Sequence, residues 1–248
     1  MIQITILSHN AFWFQGVPFP GDRPPDPDGG VIERLCAVYR EIHPDVVCLQ
    51  EIQSRETFER VSVRLGMPGC YCPGTSLPQY GGATCWRPGA GRLLARSLDS
   101  AIRTQRMWQT IEVEGGRVVL RICNIHLPSS RHLGRDRAAA QRIVELEDSI
   151  HACGRGPDVI AGDFNEAPGG PLTGCLDGYG YVDTAVCFDS DHVPTNTGGG
   201  RGDYIWIKKK LKDRIVTYAV ADKQRLACDI PGKQYLSDHL PLWITVEV

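Results

Sequence analysis

Residues 45 to 50 read DVVCLQ, a nearly unbroken apolar run of the length of one strand, and Glu51 follows directly. A strand that is apolar on both faces belongs in the middle of a sheet covered on both sides. Working outward, Val31, Ile32, Leu35, Val38, Tyr39 and Ile42 recur as a helical stripe that Pro44 stops. Residues 2 to 8 alternate and are rich in Ile, which predicts a strand entering the core. Between them, NAFWFQGVPFPGDRPPDPDGG (residues 10–30) is crowded with Pro, Gly and Asp and reads as a long loop at the first strand's carboxyl end.

Downstream, residues 53–65 read as a helix and 66–82 show no periodicity. Short strands are expected at 83–86 and 92–98. A hairpin is expected to pair 107–114 with 117–125 across a two-residue Gly115-Gly116 turn. Ala139, Ile143, Leu146 and Ile150 mark a helix over 135–151, and Pro157 to Ala161 is another buried strand. After a loop to about 202, strands are expected at 203–208, 213–221 and 240–247. This alternation predicts a layered α/β fold, in one domain over residues 1–248 with no interdomain linker.

The 248 residues are 42% hydrophobic and 23% charged with a net charge of −2, a globular composition without a field that would draw the chain onto polyanions. No apolar run has the roughly 20 residues of a membrane-spanning helix. Of the ten cysteines, Cys36, Cys48 and Cys123 lie in apolar runs, and Cys70 with Cys72 has no second pair at zinc-site spacing, so a structural zinc is not expected. With no secretory leader in MIQITILSHN, the expectation is a cytoplasmic, reducing location.

Polar residues at the ends of apolar strands cost desolvation energy unless paired or coordinated. Asn10, Glu51, His126, Asp163 with Asn165, and Asp238 with His239 all stand at or just past such ends. Any one of them alone is as well explained as a cap or a turn. Several carboxylates converging at one rim need a cation, and oxygen ligands such as Glu51 and Asp238 suit Mg²⁺ or Mn²⁺. In GDFN, Gly162 permits a tight turn, and Asp163 and Asn165 stand two apart, which points both the same way on an extended segment, one as base or ligand and one as phosphate donor; an Asx turn is the plain alternative. A buried Asp203 would fix the tautomer of His239. Arg131 and Arg135, with Arg137 and His132, either rim a phosphate site or start a solvated helix. KKKLKDR at 208–214 reads as a solvated hairpin.

Taken in order, Asn10, LQE ending at Glu51, NIH ending at His126, GDFN from Gly162, RGDYIW from Arg201 and SDHLPL from Ser237 resemble the endonuclease/exonuclease/phosphatase superfamily over essentially the whole chain. That resemblance implies a four-layer α/β/β/α sandwich with two face-to-face mixed β-sheets and a metal at one end. It implies Glu51 as principal Mg²⁺ ligand, with Asn10 and Asp238 near the metal or its waters. Asp163 would orient or deprotonate the attacking water, and Asn165 would bind a phosphate oxygen. His239, held by Asp203, would contact the phosphate or shuttle a proton, and His126 would stabilise developing charge or protonate the leaving oxygen. One departure is Phe12, where some members carry an acid; it reads as an apolar wall of the cleft or as core.

DYIW, GDFNEAPGGPL and NIHL look most like the deadenylase and nocturnin side of that superfamily. The expected activity is Mg²⁺-dependent hydrolysis of a phosphodiester in nucleic acid or a nucleotide, with a small phosphorylated metabolite or a lipid headgroup as the alternative substrate. No obligate protein partner is evident. A binding module that has lost catalysis is the reading from a different class, and intact Glu51, Asp163 and His239 argue against it.

Overall fold

The computed structural model describes residues 2–19, 26–116 and 118–248; part of the Pro-rich loop and the first residue of the second hairpin strand lie outside the described residues. In chain order the elements are β1 (Gln3–Asn10), α1 (Gly29–Ile42), β2 (Val46–Ile52), α2 (Arg55–Leu65), β3 (Gly69–Cys72), β4 (Gly81–Trp86), β5 (Gly91–Arg96), β6 (Met107–Gly115), β7 (Val118–His126), α3 (Ser130–Leu133), α4 (Arg135–His151), β8 (Val159–Asp163), α5 (Pro171–Gly178), β9 (Tyr181–Asp183), β10 (Asp203–Lys208), β11 (Ile215–Val220) and β12 (Leu242–Glu247). They form two six-stranded sheets, ordered β11-β12-β1-β2-β4-β3 and β5-β6-β7-β8-β10-β9. The pairs β1–β2 and β7–β8 are parallel; α1 links the first pair and α4 the second.

The alternation along each strand sorts side chains into layers. Val46 and Cys48 of β2 join Ile4, Ile6, Ile122, Val159, Ile205 and Ile244 between the sheets. Val47 and Leu49 face the other way, onto Leu35, Tyr39 and Val61 of α1 and α2. On the far side, Cys123, Ile125 and Ile160 pack against Leu146, Ile150 and Leu172 of α4 and α5. Helices therefore cover the outer face of each sheet, which is why the run from Val46 to Leu49 is apolar on both faces. Asp28 starts α1 by accepting the Gly30 and Val31 amides, and Ser54 does the same for α2 through Thr57.

Four expectations need correction. The hairpin turn is displaced by one residue: Gly115 pairs with Val118, so Gly116, at φ +65°, begins the turn instead of ending it. The aperiodic stretch holds β3, and the loop before residue 202 holds α5 and β9. These are short elements rich in Gly and Cys, whose pairing comes from neighbours distant in sequence. KKKLKDR is no hairpin: Lys209–Arg214 is a 3₁₀ turn carrying the chain from β10 in one sheet to β11 in the other. Finally, Gly162 is not a turn residue. It lies in the β7–β8 ladder opposite Ile125, where a Cβ would sit 1.8 Å from the Ile125 carbonyl oxygen. Gly162→Ala is therefore expected to destabilise the fold by roughly 3 kcal/mol or more through backbone displacement; a urea midpoint equal to that of wild type would refute this contact.

Candidate active site

Both parallel pairs deliver their carboxyl ends to one edge of the sandwich. In one sheet, His126 of β7, Asp163 of β8 and Asp203 of β10 stand in a single row across the ladder. In the other, Asn10 ends β1 beside Gln50 of β2. Gln50 pairs with Gly82 and Ile52 with Gly81, so Glu51 between them is bulged out of the ladder at φ +55°. A bulge re-aims a side chain that the pleat would send elsewhere, and here it aims Glu51 at the row. Asp238 and His239 arrive on the segment before β12, docked by the Ser237 hydroxyl on the Asn10 carbonyl (2.8 Å) and by the Thr197 amide on the Asp238 carbonyl (2.8 Å). His9, buried and bonded to the Tyr39 hydroxyl at 2.6 Å, holds the His239 carbonyl at 3.0 Å.

Asp163 is the hub. Its Oδ2 accepts from Asn10 Nδ2 at 3.1 Å and lies 3.3 Å from His126 Nε2 and 4.0 Å from His239 Nε2, while its Oδ1 accepts the Asn165 amide at 2.9 Å. GDFN thus does make an Asx turn, and that turn sets Asn165 at φ +51° with its side-chain amide on the Leu127 carbonyl. Asn10 is fixed in orientation because its Oδ1 takes the Phe12 amide at 3.0 Å. His239 Nδ1 rests on Asp203 at 2.9 Å, and Asp203 accepts the Thr195 hydroxyl at 2.7 Å.

These contacts set the protonation states. Burial lowers the His239 basicity, but the Asp203 carboxylate, its hydrogen bond and the nearby Asp238 and Asp163 outweigh it and hold the imidazole well above its usual range. His126, wholly buried, is pushed well below that range by desolvation and then by the Arg106 guanidinium. Desolvation pushes Glu51 up to about 7, with Asp238 adding to the rise and Arg106 opposing it.

Arg106 is the residue that sequence reading missed. It precedes β6, is buried, contacts His126 Nε2 and lies 4.4 Å over the Tyr80 ring. A single arginine before a strand carries no sequence signature; only its burial marks it. Of the expected rim residues, Arg131 is exposed yet close enough to depress the Arg106 pKa, and exposed Arg135 shows no contact with the cluster among the described residues. Phe12 is half-buried at the rim, stacked on Trp13.

The donor set can be tested for a cation. Glu51 Oε2 and Asp238 Oδ1 find no hydrogen-bond partner among the described residues; Asp238, whose side chain is 42% exposed, has Oδ1 3.9 Å from His239 Nε2, whereas Glu51 is buried, and a buried carboxylate oxygen without a hydrogen bond is expensive unless an ion meets it. Asp163, Asp203 and His239 also present ligand atoms within 4.8 Å of one another. In that group, however, His239 Nδ1 and Asp203 already satisfy each other. The Glu51 and Asp238 oxygens that find no hydrogen bond are hard donors of the kind a divalent cation takes.

A model of the Endonuclease/Exonuclease/phosphatase family matches residues 7–239. No curated protein matches significantly. Among solved structures, a Bacteroides thetaiotaomicron protein of the same family superposes with TM-score 0.72 at 14% identity, covering 98% of this chain and 97% of that one. The human Nocturnin catalytic domain with bound sulfate gives 0.66 at 18% identity, covering 99% and 93%. D. rerio TDP2 complexed with a single-strand DNA product gives 0.68 at 16%, covering 99% of each chain. At these identities the structures attest the fold alone. Family enzymes hydrolyse phosphoesters, typically with divalent metals. No helix among the described residues is long and apolar enough to cross a membrane. With the family model spanning nearly the whole sequence, this chain belongs to the endonuclease/exonuclease/phosphatase family.

Proposed function

We propose that this protein is a Mg²⁺- or Mn²⁺-dependent phosphodiesterase acting on a nucleotide or nucleic-acid diester by in-line attack of water. The observation that carries the reading is the Asp163 hub, set beside Glu51 and Asp238 oxygens that find no hydrogen bond among the described residues. Glu51 and Asp238, with Asn10 beside them, would hold the cation, which neutralises charge on the phosphate and its leaving oxygen.

Asp163 takes the water's proton, and the Asn10 amide keeps its carboxylate aimed. His239, cationic through Asp203, donates from Nε2 to a non-bridging phosphate oxygen. Asn165 donates to a second oxygen by exchanging its bond to Leu127. Arg106 turns from His126 to the phosphate, and the neutral His126 then supports the charge that develops. Arg131 lies at the rim as a further phosphate contact, and Arg135, at the start of α4, extends it. All ten cysteines are unpaired, which suits a reducing cytoplasmic location.

Bis-p-nitrophenyl phosphate and p-nitrophenyl phosphate, each with Mg²⁺ or Mn²⁺, test this reading. Turnover of the diester well above the monoester, abolished by a chelator, is expected. Preference for the monoester would shift the reading to a phosphatase of a small metabolite, and no turnover of either would end the enzyme claim.

A further inference from the structure

Asn10 is followed by a turn whose backbone is unusual for its residues. Phe12, Trp13 and Phe14 all sit in left-handed conformations, at φ +46°, +52° and +56°. A bulky side chain crowds its own backbone there, so such a run persists only when its surroundings over-determine it. They do: the Phe14 amide bonds Ala11 (2.9 Å), Trp13 Nε1 bonds the Gln79 carbonyl (2.8 Å), and the Gln53 side chain bonds the Trp13 carbonyl (3.0 Å). Phe14 turns into the core beneath α1. Phe12 and Trp13 belong to none of the three core clusters.

What the turn builds is a strip of rings running into the active site. Phe19 meets Phe12 edge to face at 6.1 Å, Phe12 stacks on Trp13 at 5.6 Å, and Trp13 meets Tyr80 at 5.0 Å. Tyr80 in turn lies 6.2 Å from His126, the residue beside Asp163, and 5.6 Å from the exposed ring of His132. Phe12 and Phe19 are half-buried, while Trp13 and Tyr80 are about 2% exposed. Cationic groups flank the strip: the Arg106 guanidinium lies 4.4 Å over Tyr80, and Lys233 Nζ lies 6.0 Å from the Phe19 ring.

We infer that this strip is a base-stacking subsite, and that Phe12 and Phe19 hold the nucleobase of the nucleotide whose phosphate lies at Asp163. Flat ring faces edged by cations match an anionic substrate with a planar π group. An acyl chain has no use for the charged flank. The inference rests on the phosphodiesterase reading above and supplies the substrate class for it.

The test compares a thymidine dinucleotide with analogues in which one base is replaced by an abasic tetrahydrofuran residue. Turnover is measured with Mg²⁺, and binding is measured separately by tryptophan emission in EDTA. For wild type, KM and Kd for the dinucleotide are expected to be about tenfold or more below those of one of the abasic analogues. Phe12→Ala should bring that ratio to about one, and Phe12→Trp should keep it; Phe19→Ala gives the same readout if Phe12→Ala does not fold.

Equal wild-type values for every analogue would overturn the subsite and leave the phosphodiesterase reading standing. So would a Phe12→Ala loss that falls equally on all compounds, or a preference for an acyl-chain phosphodiester. Base-dependent binding without hydrolysis of any compound would instead count against the phosphodiesterase reading and keep the subsite.

Discussion

Glu51→Gln is expected to weaken Mg²⁺ or Mn²⁺ binding by at least about 100-fold, since even residues that merely support a metal ligand are commonly worth 10- to 100-fold. Turnover at ordinary metal concentration should fall with it. The substitution removes a negative charge at nearly constant shape: Glu51 Oε2 has no hydrogen-bond partner among the described residues, and the Asn10 side chain that bonds the Glu51 carboxylate can bond the glutamine oxygen in its place. The metal-free stability carries a second and opposite signature. Desolvation holds the Glu51 carboxyl up to about 7 in the fold. A carboxyl whose pKa is raised on folding subtracts stability progressively as pH climbs from its unfolded value near 4.3 to the folded one. The metal-free glutamine variant should therefore melt above metal-free wild type at pH 8, with the gap closing toward pH 4. Wild type should recover the difference when metal is added, and the variant should not. Calorimetric metal titration and thermal melts read both effects; equal metal affinity in the two proteins would remove Glu51 from the ligand set.

His239→Ala should leave metal affinity within a few-fold of wild type and lower kcat by ~10²- to 10⁴-fold, the range for a positioned acid or charge donor. The Asp203–His239 pair is worth most when the imidazole is charged. A histidine whose pKa is raised on folding contributes its stability fully below the unfolded value near 6.5, and that contribution is lost as pH rises through the elevated folded value. Wild-type activity should fall on the alkaline side as His239 loses its proton. The alanine variant should lack that limb. If both proteins keep the same alkaline limb, the proton sits on another group and His239 has been misassigned.

What could be read from sequence divides along physical lines. DVVCLQ, the stripe from Val31 to Ile42 and the helix over 135–151 were legible because burial of a whole face writes its period into the residues. The polar strand ends were legible because a desolvated polar group must have a reason, and the fold brings Asn10, Glu51, His126, Asp163, Asn165, Asp203, Asp238 and His239 to one edge. Non-local features left no such trace. The β3 edge strand is four residues long and, among the described residues, pairs only with β4. The charges of KKKLKDR announce exposure but not that the chain is changing sheets there. The Glu51 bulge, the left-handed Phe12–Phe14 turn and the burial of Arg106 are set by what surrounds them.

The proposed phosphodiesterase requires a divalent cation held by Glu51 and Asp238, beside the Asp163 hub. Anomalous diffraction from a crystal soaked in Mn²⁺ addresses it most directly. One strong peak is expected within coordination distance of Glu51 Oε2 and Asp238 Oδ1, with the His239–Asp203 hydrogen bond intact. A peak coordinated by Asp203 and His239 with Glu51 unliganded, or no peak at that edge of the sandwich, would contradict it.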